Sequence, residues 1–498
     1  MSLLIKKYFE ENNFVQSNIE SFNNFIEQRL QKLVSEVGTA VPAVIPPDTE
    51  EVKFVFGKIK VEQPIVTEAD GSVRKILPAE ARLRDLTYSA PVFLEVSLMI
   101  DGKERERADI QIAELPIMLK SQKCYLNNMS TEEIIVAGED PYDRGGYFIV
   151  NGTERVLSLL EDLAPNNVFV ARVKSGPVTH HARLFSSSPQ FKIPHVLERM
   201  KDGTLAITFA SLKRIPLVVV LKALGFTKDS DIPALINLDG IDEDVYINLI
   251  DFVDVKTETA AKEFIAKAAG MLPEDENKIA RVDYLLDSFL LPHIGQKPED
   301  RIAKSYFLGR MARKLFLHKL GKIKKDDRDH YMNKRIRLAG DLLEDLFRTN
   351  IKLLVSDMLY IFQRSVRRGK ILPINALIRT KFITQRIRSA MATGNWTGNR
   401  QGVSQRLDRE NALATLSHLQ RVVSLLEASR ESFEARELHP THWGRLCPLE
   451  SPEGKHIGLR KNLALLSSVT PDPKPEENNA LLNFLENAGL KRPQYLEK

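Results

Sequence analysis

The segment THWGRLCPLESPEGKHIGLRKNLAL, residues 441–465, says most about how this chain folds. Glycine and proline recur through its first half too often for a regular helix or strand to form there. Polar loops that are dense in such residues often carry function. Just upstream, residues 392–402 (ATGNWTGNRQG) and the charged residues 428–436 predict two further polar loops.

Between those two loops the apolar spacing predicts a helix over Leu413–Glu427. Within the quoted segment, we expect Trp443 to be a buried anchor rather than a platform on which bases stack. Both expectations concern the region that is rich in glycine, proline and polar residues. They therefore bear directly on where a functional site could form.

Two clusters in the sequence suggest metal ligands at first sight. His439 and His442 form a pair, but no third ligand of suitable spacing accompanies them, which favours packing or backbone hydrogen bonding. The three aspartates of DDRD (326–329) are interleaved with lysine and arginine, and an aspartate of this kind often caps a helix. We therefore interpret both clusters as structural.

Positive charge is concentrated ahead of these loops. The 498-residue chain carries +5 overall, yet Arg301–Arg400 alone holds 24 basic and 7 acidic residues, a local charge of +17. The remainder of the chain is therefore acidic, with a net charge of −12. Such a basic surface suggests a polyanionic partner. A solvated helix face, or helix ends that favour cations, would produce the same pattern.

Length and composition exclude several classes of protein. A chain of this length suggests about three domains, and 43% apolar with 28% charged residues is ordinary globular composition. Cys124 and Cys447 form no CxxC pair, which disfavours a four-ligand zinc site and fits a reducing cytosol. Neither GxGxxG nor GxxxxGK[ST] occurs, so a P-loop nucleotidase is disfavoured.

The amino terminus lacks the apolar core of a signal peptide. The most apolar run, Leu217–Leu224, is interrupted by Lys222 and is far too short to span a bilayer. We therefore expect a cytoplasmic protein without a membrane partner.

Strand signals dominate the first third of the chain. Residues 52–119 contain short runs rich in β-branched and aromatic residues, and the alternation of Val52, Phe54 and Phe56 predicts a strand packed on one face. Asn151-Gly152 predicts a tight hairpin turn, because both residues tolerate positive φ. Residues 165–215 are rich in strand signals as well.

Helical periodicity appears at residues 4–35 and again at 304–320, where Gly321 should end the helix. Asp341 with Glu344 resembles the capping-box start of a long helix. The residues that this long helix should bury are Leu343, Phe347, Ile351, Leu354, Met358 and Phe362.

Several segments of the sequence resemble a known protein family. Residues 441–465 are similar to the signature of the second-largest subunit of multisubunit DNA-directed RNA polymerases. Eight more segments resemble the same family in the same order: YFEENNFVQSNIESFNNFI (8–26), LPIMLKSQKCYL (115–126), GGYFIVNGTERVL (145–157), IPLVVVLKALGF (215–226), YFLGRMARKLFL (306–317), DDRDHYMNKRIRLAG (326–340), ATGNW (392–396) and GVSQRLDREN (402–411). Nine collinear matches are hard to explain by accident.

The resemblance covers the amino-terminal half of that subunit. It implies the split archaeal arrangement, in which two polypeptides encode the subunit and this chain is the amino-terminal one, B double prime. The fold class implied is α+β and multidomain, with mixed helices and antiparallel sheets. The domains implied are a protrusion at 1–140 with a return segment at 346–390, a lobe at 141–345, and a fork with a carboxyl-terminal tail at 391–498.

The function implied is that of a DNA-dependent RNA polymerase subunit, a nucleotidyltransferase that transcribes DNA into RNA from nucleoside triphosphates. This chain would form one side of the DNA cleft and be inactive alone. It would hold no catalytic residue and no cofactor, since the largest subunit of the family holds the Mg²⁺. The partners implied are the complementary B′ half-subunit, the largest subunits, the DNA template and the nascent RNA. An alternative is a stand-alone nucleic-acid-binding regulatory protein derived from a polymerase half-subunit.

The resemblance also implies candidate contacts. Gln405 and Arg421 match positions that contact the RNA backbone, residues 394–402 match a loop beside the RNA–DNA hybrid, and residues 428–436 match a loop where downstream strands separate. The candidate nucleic-acid-binding residues are Lys334, Arg335, Arg337, Arg388, Asn395, Arg400, Gln405, Arg406, Arg421 and Arg436. Glu453 and Lys455 are candidates for supporting the active centre.

Several candidates have a structural alternative, in which they pair within the chain. The alternative partners are Asp341, Glu344 and Asp345 for Lys334, Arg335 and Arg337, and Glu434 or Glu437 for Arg436. Glu453 could instead cap a turn.

Overall fold

The computed structural model of the chain describes residues 2–47, 49–188, 192–236, 238, 242–272, 277–426, 429, 432–470 and 475–490. Part of the predicted loop at 428–436, namely residues 428, 430 and 431, lies outside the described residues, and so does Glu427.

The secondary structure is a mixture of helices and strands, as predicted. In chain order the strands are β1 (Thr39–Ala40), β2 (Val52–Val61), β3 (Ile65–Thr67), β4 (Val73–Lys75), β5 (Ser89–Ile100), β6 (Lys103–Pro116), β7 (Phe148–Val150), β8 (Thr153–Leu157), β9 (Leu159–Leu163), β10 (Val168–Arg172), β11 (Val178–Ser187), β12 (Lys192–Met200), β13 (Leu205–Phe209), β14 (Leu212–Pro216), β15 (Lys334–Arg337), β16 (Ser404–Arg406), β17 (Arg421–Ser424) and β18 (Arg460–Asn462). The α-helices are α1 (Ser2–Glu11), α2 (Gln16–Asn24), α3 (Leu30–Val37), α4 (Pro78–Leu83), α5 (Thr131–Val136), α6 (Leu217–Ala223), α7 (Asp231–Ile236), α8 (Asp242–Ile250), α9 (Glu258–Ala268), α10 (Lys278–Ser288), α11 (Arg301–Lys319), α12 (Ala339–Val366), α13 (Ile374–Leu377), α14 (Lys381–Thr393), α15 (Ala412–Leu419) and α16 (Pro475–Asn487).

The chain forms two compact units, and the second is inserted into the first. The first unit contains the residues up to Asp162 and those from Ile336 to Thr470. The second unit contains Leu163–Arg335, and helix α16 is grouped with it. A discontinuous unit of this kind can complete its core only after the second of its two segments has been made.

The first unit is built around an antiparallel sheet in the order β1-β2-β5-β6. Val52, Phe54 and Phe56 are buried while the residues between them are partly exposed, which confirms the predicted one-sided strand. The ring of Phe54 packs edge-on against Phe362 of α12, with centroids 5.2 Å apart. The alternating pattern of β2 thus seats the longest helix of the unit on the sheet.

Helix α12 buries all six of the residues predicted for it. Its start differs from the prediction, because the backbone N–H of Leu338 donates to Asp341 Oδ2 at 2.8 Å and makes Asp341 the third helical residue rather than the cap. Glu344 instead pairs with Arg29, 3.2 Å away. The predicted capping box from Asp341 to Glu344 is therefore wrong, although the helix itself is confirmed.

The first turn of α12 lies directly against α2. Asn18 Oδ1 accepts a hydrogen bond from the backbone N–H of Ala339 at 2.9 Å. Next to it, Gly340 faces the backbone of Ser21 so closely that a methyl group at Gly340 would overlap the Ser21 carbonyl oxygen. These contacts join residues more than 300 positions apart, and α2 is one of several pieces into which the predicted helix 4–35 is divided.

Strands β7 and β8 form the hairpin that Asn151-Gly152 predicts. Asn151 has φ 48° and Gly152 has φ 69°, so both residues adopt the left-handed conformation that a two-residue turn requires. The turn fixes the register of β8, the strand that pairs with β16.

Helix α15 ends at Leu419, eight residues before the predicted end at Glu427. Residues Arg421–Ser424 instead form β17, which runs parallel to β9 and antiparallel to β18. Val422 is fully buried between these neighbours, so burial between two strands overrides the local helical spacing.

The second unit contains an antiparallel meander in the order β10-β11-β12-β13-β14, which confirms the strand-rich prediction for 165–215. Helices α6 to α11 supply the rest of its core. Helix α11 spans Arg301–Lys319, and Gly321 follows with φ 72°, as predicted.

A buried histidine makes the stability of the second unit dependent on pH. His195 is fully buried, accepts a hydrogen bond at Nε2 from the Leu291 N–H, and stacks on Phe209. Burial lowers the pKa of His195 to about 4. A pKa below the unfolded value means that the native state binds fewer protons, so stability is complete above pH 6.5 and is lost as the pH falls from 6.5 toward 4.

We expect His195 to lower the free energy of unfolding of this unit by about 1.4 kcal/mol per pH unit over that range. His181, whose pKa burial and the charge of Arg183 also lower to about 4, should make the fall steeper. Amide hydrogen exchange of residues 193–209, corrected for the intrinsic pH dependence, measures it. Equal protection of 193–209 at pH 7 and pH 5 would contradict the expectation.

Among the described residues, no helix is long and apolar enough to cross a membrane.

Candidate nucleic-acid interface

Strand β16 carries two of the candidates and pairs with β8 of the hairpin. In this register Gln405 lies opposite Val156, and Arg406 lies directly opposite Arg155. Arg406 is exposed, and the Arg155 Nε is buried without a hydrogen-bond partner within the described residues. Like charges directly opposite each other destabilise a sheet, so this pair is unfavourable unless an anion neutralises it.

A second pair of arginines lies across strands β17 and β18. Arg421 lies opposite Asn462, and Arg460 lies opposite Val423, so both arginines share one face of the sheet. Partial burial and the charge of Arg460 lower the pKa of Arg421. In the described part of the chain neither guanidinium forms an ion pair. Within the described residues, each pair thus presents guanidinium groups that no ion pair neutralises, while Asp408 and Glu450 act on Arg421 only through their charge.

His418 connects Gln405 to the second arginine pair. The Asp408 N–H donates to His418 Nδ1 at 3.2 Å, which leaves the proton on Nε2 to donate to Gln405 Oε1, also at 3.2 Å. Burial and the charges of Arg421 and Arg460 lower the pKa of His418 to about 4, so the ring stays neutral.

The amide of Gln405 is fixed at its other end as well. Gln405 Nε2 donates to the carbonyl oxygen of Gly402 at 3.0 Å. With His418 holding Oε1, the orientation of the amide is determined on both sides. We call Arg155, Gln405, Arg406, His418, Arg421 and Arg460 the basic cluster.

The loop before β16 carries Asn395 and Arg400 and is held at one point. Trp396 is buried and donates from Nε1 to the Leu342 carbonyl oxygen at 2.8 Å, while its backbone bridges to Arg400. Asn395 is exposed, and the Nη1 of Arg400 is buried without a hydrogen-bond partner among the described residues. Trp396 therefore anchors the loop, while the Nη1 donor of Arg400 remains without a hydrogen-bond acceptor among the described residues.

The segment after β16 is pinned by Arg409, which the sequence analysis did not single out. Arg409 donates to Glu154 at 2.6 Å and to Asp143 at 3.0 Å, and its guanidinium lies 5.0 Å from the centre of the Tyr147 ring. These contacts tie the strand that carries Gln405 to the GGYF segment.

Arg82 extends this network. It pairs with Glu139 at 2.6 Å and with Glu154 at 2.8 Å, and donates to the Tyr147 hydroxyl at 2.8 Å. Arg82 and Arg409 thus share Glu154 from opposite sides. We call Arg82, Glu139, Asp143, Tyr147, Glu154 and Arg409 the ion network.

Arg436 holds the backbone of a segment that follows β17. Arg436 Nη1 donates to the carbonyl oxygens of Lys455 and Ile457 at 2.8 and 3.0 Å. Glu453 and Lys455 are exposed on the adjoining single turn of 3₁₀ helix, and the Glu453 side chain makes no capping hydrogen bond to it. Arg436 therefore shapes the turn that displays these two side chains.

The remaining candidates have partners within the chain. Lys334 pairs with Asp329 at 3.2 Å, and Arg337 pairs with Asp345 at 2.7 Å, which is one of the alternatives that the sequence left open. Arg335 is exposed and donates to backbone carbonyl oxygens. Arg388 pairs with Glu114, 3.3 Å away.

Trp443 is 66% exposed, so the expectation of a buried anchor is wrong. It follows a 3₁₀ turn, Pro440–His442, in which His442 rather than the tryptophan is buried. His439 Nδ1 lies 2.7 Å from the Thr441 hydroxyl.

In the described part of the chain, no group of three or more His, Cys, Asp or Glu side chains lies close enough together to hold a metal ion. Asp326 accepts from the Val170 N–H and pairs with Lys314, and Asp329 pairs with Lys334. The DDRD segment is thus engaged in structural contacts.

Sequence reasoning did not select Arg155, His418 or Arg460. Arg155 and Arg460 lie within quoted motifs, but their pairing with Arg406 and Arg421 depends on strand register. His418 carries a weak signal, because it precedes Arg421 by only three residues.

Comparisons with known proteins identify the family to which the chain is similar. A family profile described as RNA polymerase beta subunit matches residues 13–385, and one described as RNA polymerase Rpb2, domain 3, matches residues 405–469. DNA-directed RNA polymerase subunit Rpo2 of Sulfolobus acidocaldarius is 44% identical, over 94% of this chain and 41% of that protein. Two relatives named DNA-directed RNA polymerase subunit Rpo2N are matched over most of both chains: that of Methanocaldococcus jannaschii is 42% identical, over 98% of this chain and 99% of the relative, and that of Halobacterium salinarum is 38% identical, over 95% and 93%.

This chain therefore spans about two fifths of the Rpo2 relatives and nearly all of the Rpo2N relatives. The first profile alone matches well over half of the chain, and both profiles describe one subunit. The chain belongs to the RNA polymerase beta-subunit family and is similar in extent to its archaeal Rpo2N members.

Proposed function

We propose that this chain forms one side of the DNA cleft in a DNA-dependent RNA polymerase and contacts the RNA–DNA hybrid through the basic cluster. One observation carries the proposal: the arginines of two cross-strand pairs, Arg406 with Arg155 and Arg421 with Arg460, form no ion pair with a carboxylate within the described residues. A phosphate backbone would neutralise both pairs without sequence readout, as transcription of any template requires.

In the assembly that we propose, a different polypeptide supplies the Mg²⁺ and this chain is inactive alone. Its partners are the complementary B′ half-subunit, the largest subunits, the DNA template and the nascent RNA, in the cytoplasm. We also propose that residues 1–140 and 346–390 form the protrusion, 141–345 the lobe and 391–498 the fork with its tail. The comparisons give no support to the alternative of a stand-alone regulatory protein.

Gln405 acts in this proposal as a fixed hydrogen-bond donor beside the arginines. Its amide is held by neutral His418 and by the Gly402 carbonyl, so binding costs little side-chain entropy. Arg400 contributes a buried, unsatisfied donor at the edge of the same region. Asn395, Arg436, Glu453 and Lys455 line the neighbouring loops, whereas Lys334, Arg337 and Arg388 contribute less because carboxylates already neutralise them.

The test neutralises Arg400, Arg406 and Arg421 together by substitution with glutamine in the reconstituted polymerase. We expect the dissociation rate of a stalled elongation complex to rise on the order of a hundredfold at 0.1 M salt. The slope of log K against log salt should become shallower by up to about three, since up to three phosphate contacts are lost.

The matched control neutralises three arginines that already pair with carboxylates, namely Arg74, Arg84 and Arg107. It changes the net charge by the same amount and should leave the slope unaltered. An equal change of slope in both triple variants, or none in either, would exclude the basic cluster as a phosphate-binding surface.

A further inference from the structure

Helix α16 leaves its apolar face open to solvent. It spans Pro475–Asn487, and its large apolar side chains recur at helical spacing. The exposed fractions are 56% for Leu481, 49% for Leu482, 68% for Phe484 and 39% for Leu485. A contiguous exposed apolar stripe of this kind marks an interaction surface.

The length of this helix also indicates that it packs against a partner. Isolated helices shorter than about 12–15 residues are marginal in water, and most helices in proteins gain their stability by packing an amphipathic face. The 13 residues of α16 are nearly all exposed, and the apolar stripe of Leu481, Phe484 and Leu485 is matched by a polar face that includes Asn483. The helix therefore needs a partner for that stripe.

The comparisons indicate which partner this is. The second profile match ends at residue 469, a few residues before α16, so the helix lies outside the two matched ranges. Three fifths of the Rpo2 relatives lies outside the part that this chain matches, whereas the Rpo2N relatives have no such remainder. In a split enzyme that remainder must be held without a peptide bond.

We propose that the apolar stripe of α16 docks onto the complementary half-subunit and thereby substitutes for the covalent junction of the single-chain relatives. The proposal rests on the proposed function, since it assumes that this chain and its complement assemble. Docking would bury the four large apolar side chains together, which makes Phe484, the largest and most exposed, the expected centre of the contact.

The experiment measures the affinity of the full chain for the purified complementary half-subunit of the same source by sedimentation or calorimetry. We expect Phe484→Glu to weaken association about 30-fold or more, as for a central interface residue. Asn483→Glu, which adds the same charge on the polar face of the same helix, should change affinity by less than about threefold.

Two further measurements separate docking from helix loss. Phe484→Ala retains high helix propensity and should still weaken association, by a smaller factor than Phe484→Glu. In the wild-type chain, amides 478–488 should become protected from hydrogen exchange when the complementary half-subunit is added. Unchanged exchange there, or equal affinities for Phe484→Glu and Asn483→Glu, would overturn the docking proposal.

The outcome also separates this proposal from the proposed function. If the wild-type chain fails to bind the complementary half-subunit at all, the proposed function fails. If the wild-type chain binds and Phe484→Glu binds equally well, only the docking surface is wrong.

Discussion

Replacement of Arg82 by methionine will lower the free energy of unfolding of the first unit by about 3–5 kcal/mol. The substitution keeps most of the volume of the side chain but removes the guanidinium that pairs with Glu139 and Glu154. Arg409 continues to neutralise Glu154, whereas Glu139 is left buried with its charge uncompensated. The loss of one partner from a buried ion pair is costly for that reason.

The chain offers a selective optical probe for this measurement. Its two tryptophans, Trp396 and Trp443, both lie in the first unit, so urea unfolding followed by tryptophan fluorescence reports that unit alone. Burial raises the pKa of Glu139 and Arg82 lowers it; the effect of burial is the larger, so the pKa lies above its ordinary value. Adding Glu139→Gln to Arg82→Met should therefore recover part of the lost stability.

Arg74→Met provides the matched control. Arg74 also pairs with two carboxylates, Glu68 and Glu80, but at the surface, where such pairs contribute less than about 1 kcal/mol. If the two variants have the same midpoint in urea, the ion network does not stabilise the unit in the way that its burial indicates.

Replacement of Gly340 by alanine will destabilise the first unit by about 3 kcal/mol, the upper end of the usual cost of overpacking. Alanine is the better helix former by up to about 1 kcal/mol, so propensity alone predicts the opposite sign. The added methyl group would overlap the carbonyl oxygen of Ser21 and lie 2.6 Å from its hydroxyl oxygen. Helix α2 would have to move, which would strain the hydrogen bond from Ala339 to Asn18.

The same fluorescence-detected unfolding measures this effect. Because the overlap is with the backbone, the double variant Gly340→Ala/Ser21→Gly should remain destabilised. Ser356→Ala, on the exposed face of α12, should change stability by less than about 0.5 kcal/mol. A Gly340→Ala chain as stable as the wild type would show that α2 is free to shift.

Local patterns predicted those parts of the fold that neighbouring residues determine. The alternation of Val52, Phe54 and Phe56, the Asn151-Gly152 turn and the buried stripe of α12 all follow from spacing within one element, and all are confirmed. The nine motifs predicted the family to which the chain belongs, and the profile matches confirm that prediction.

The remaining features depend on partners that are distant in sequence. Arg421–Ser424 forms a strand because β9, about 260 residues earlier, lies beside it. The arginine pairs depend on register between strands such as β16 and β8, which no local pattern encodes. Trp443 is exposed although a tryptophan among breakers suggests an anchor, and its neighbour His442 takes the buried position.

The insertion of one unit into the other has a consequence for synthesis on the ribosome. The residues that precede Leu163 emerge first, yet α12, whose side chains complete their core, follows only after the inserted unit. At typical translation rates of about 5–20 residues per second, the inserted segment takes roughly ten to thirty seconds to make. During that interval the nascent sheet β2-β5-β6 keeps an uncovered apolar face, so cellular chaperones have their greatest opportunity to act on this polypeptide before α12 appears.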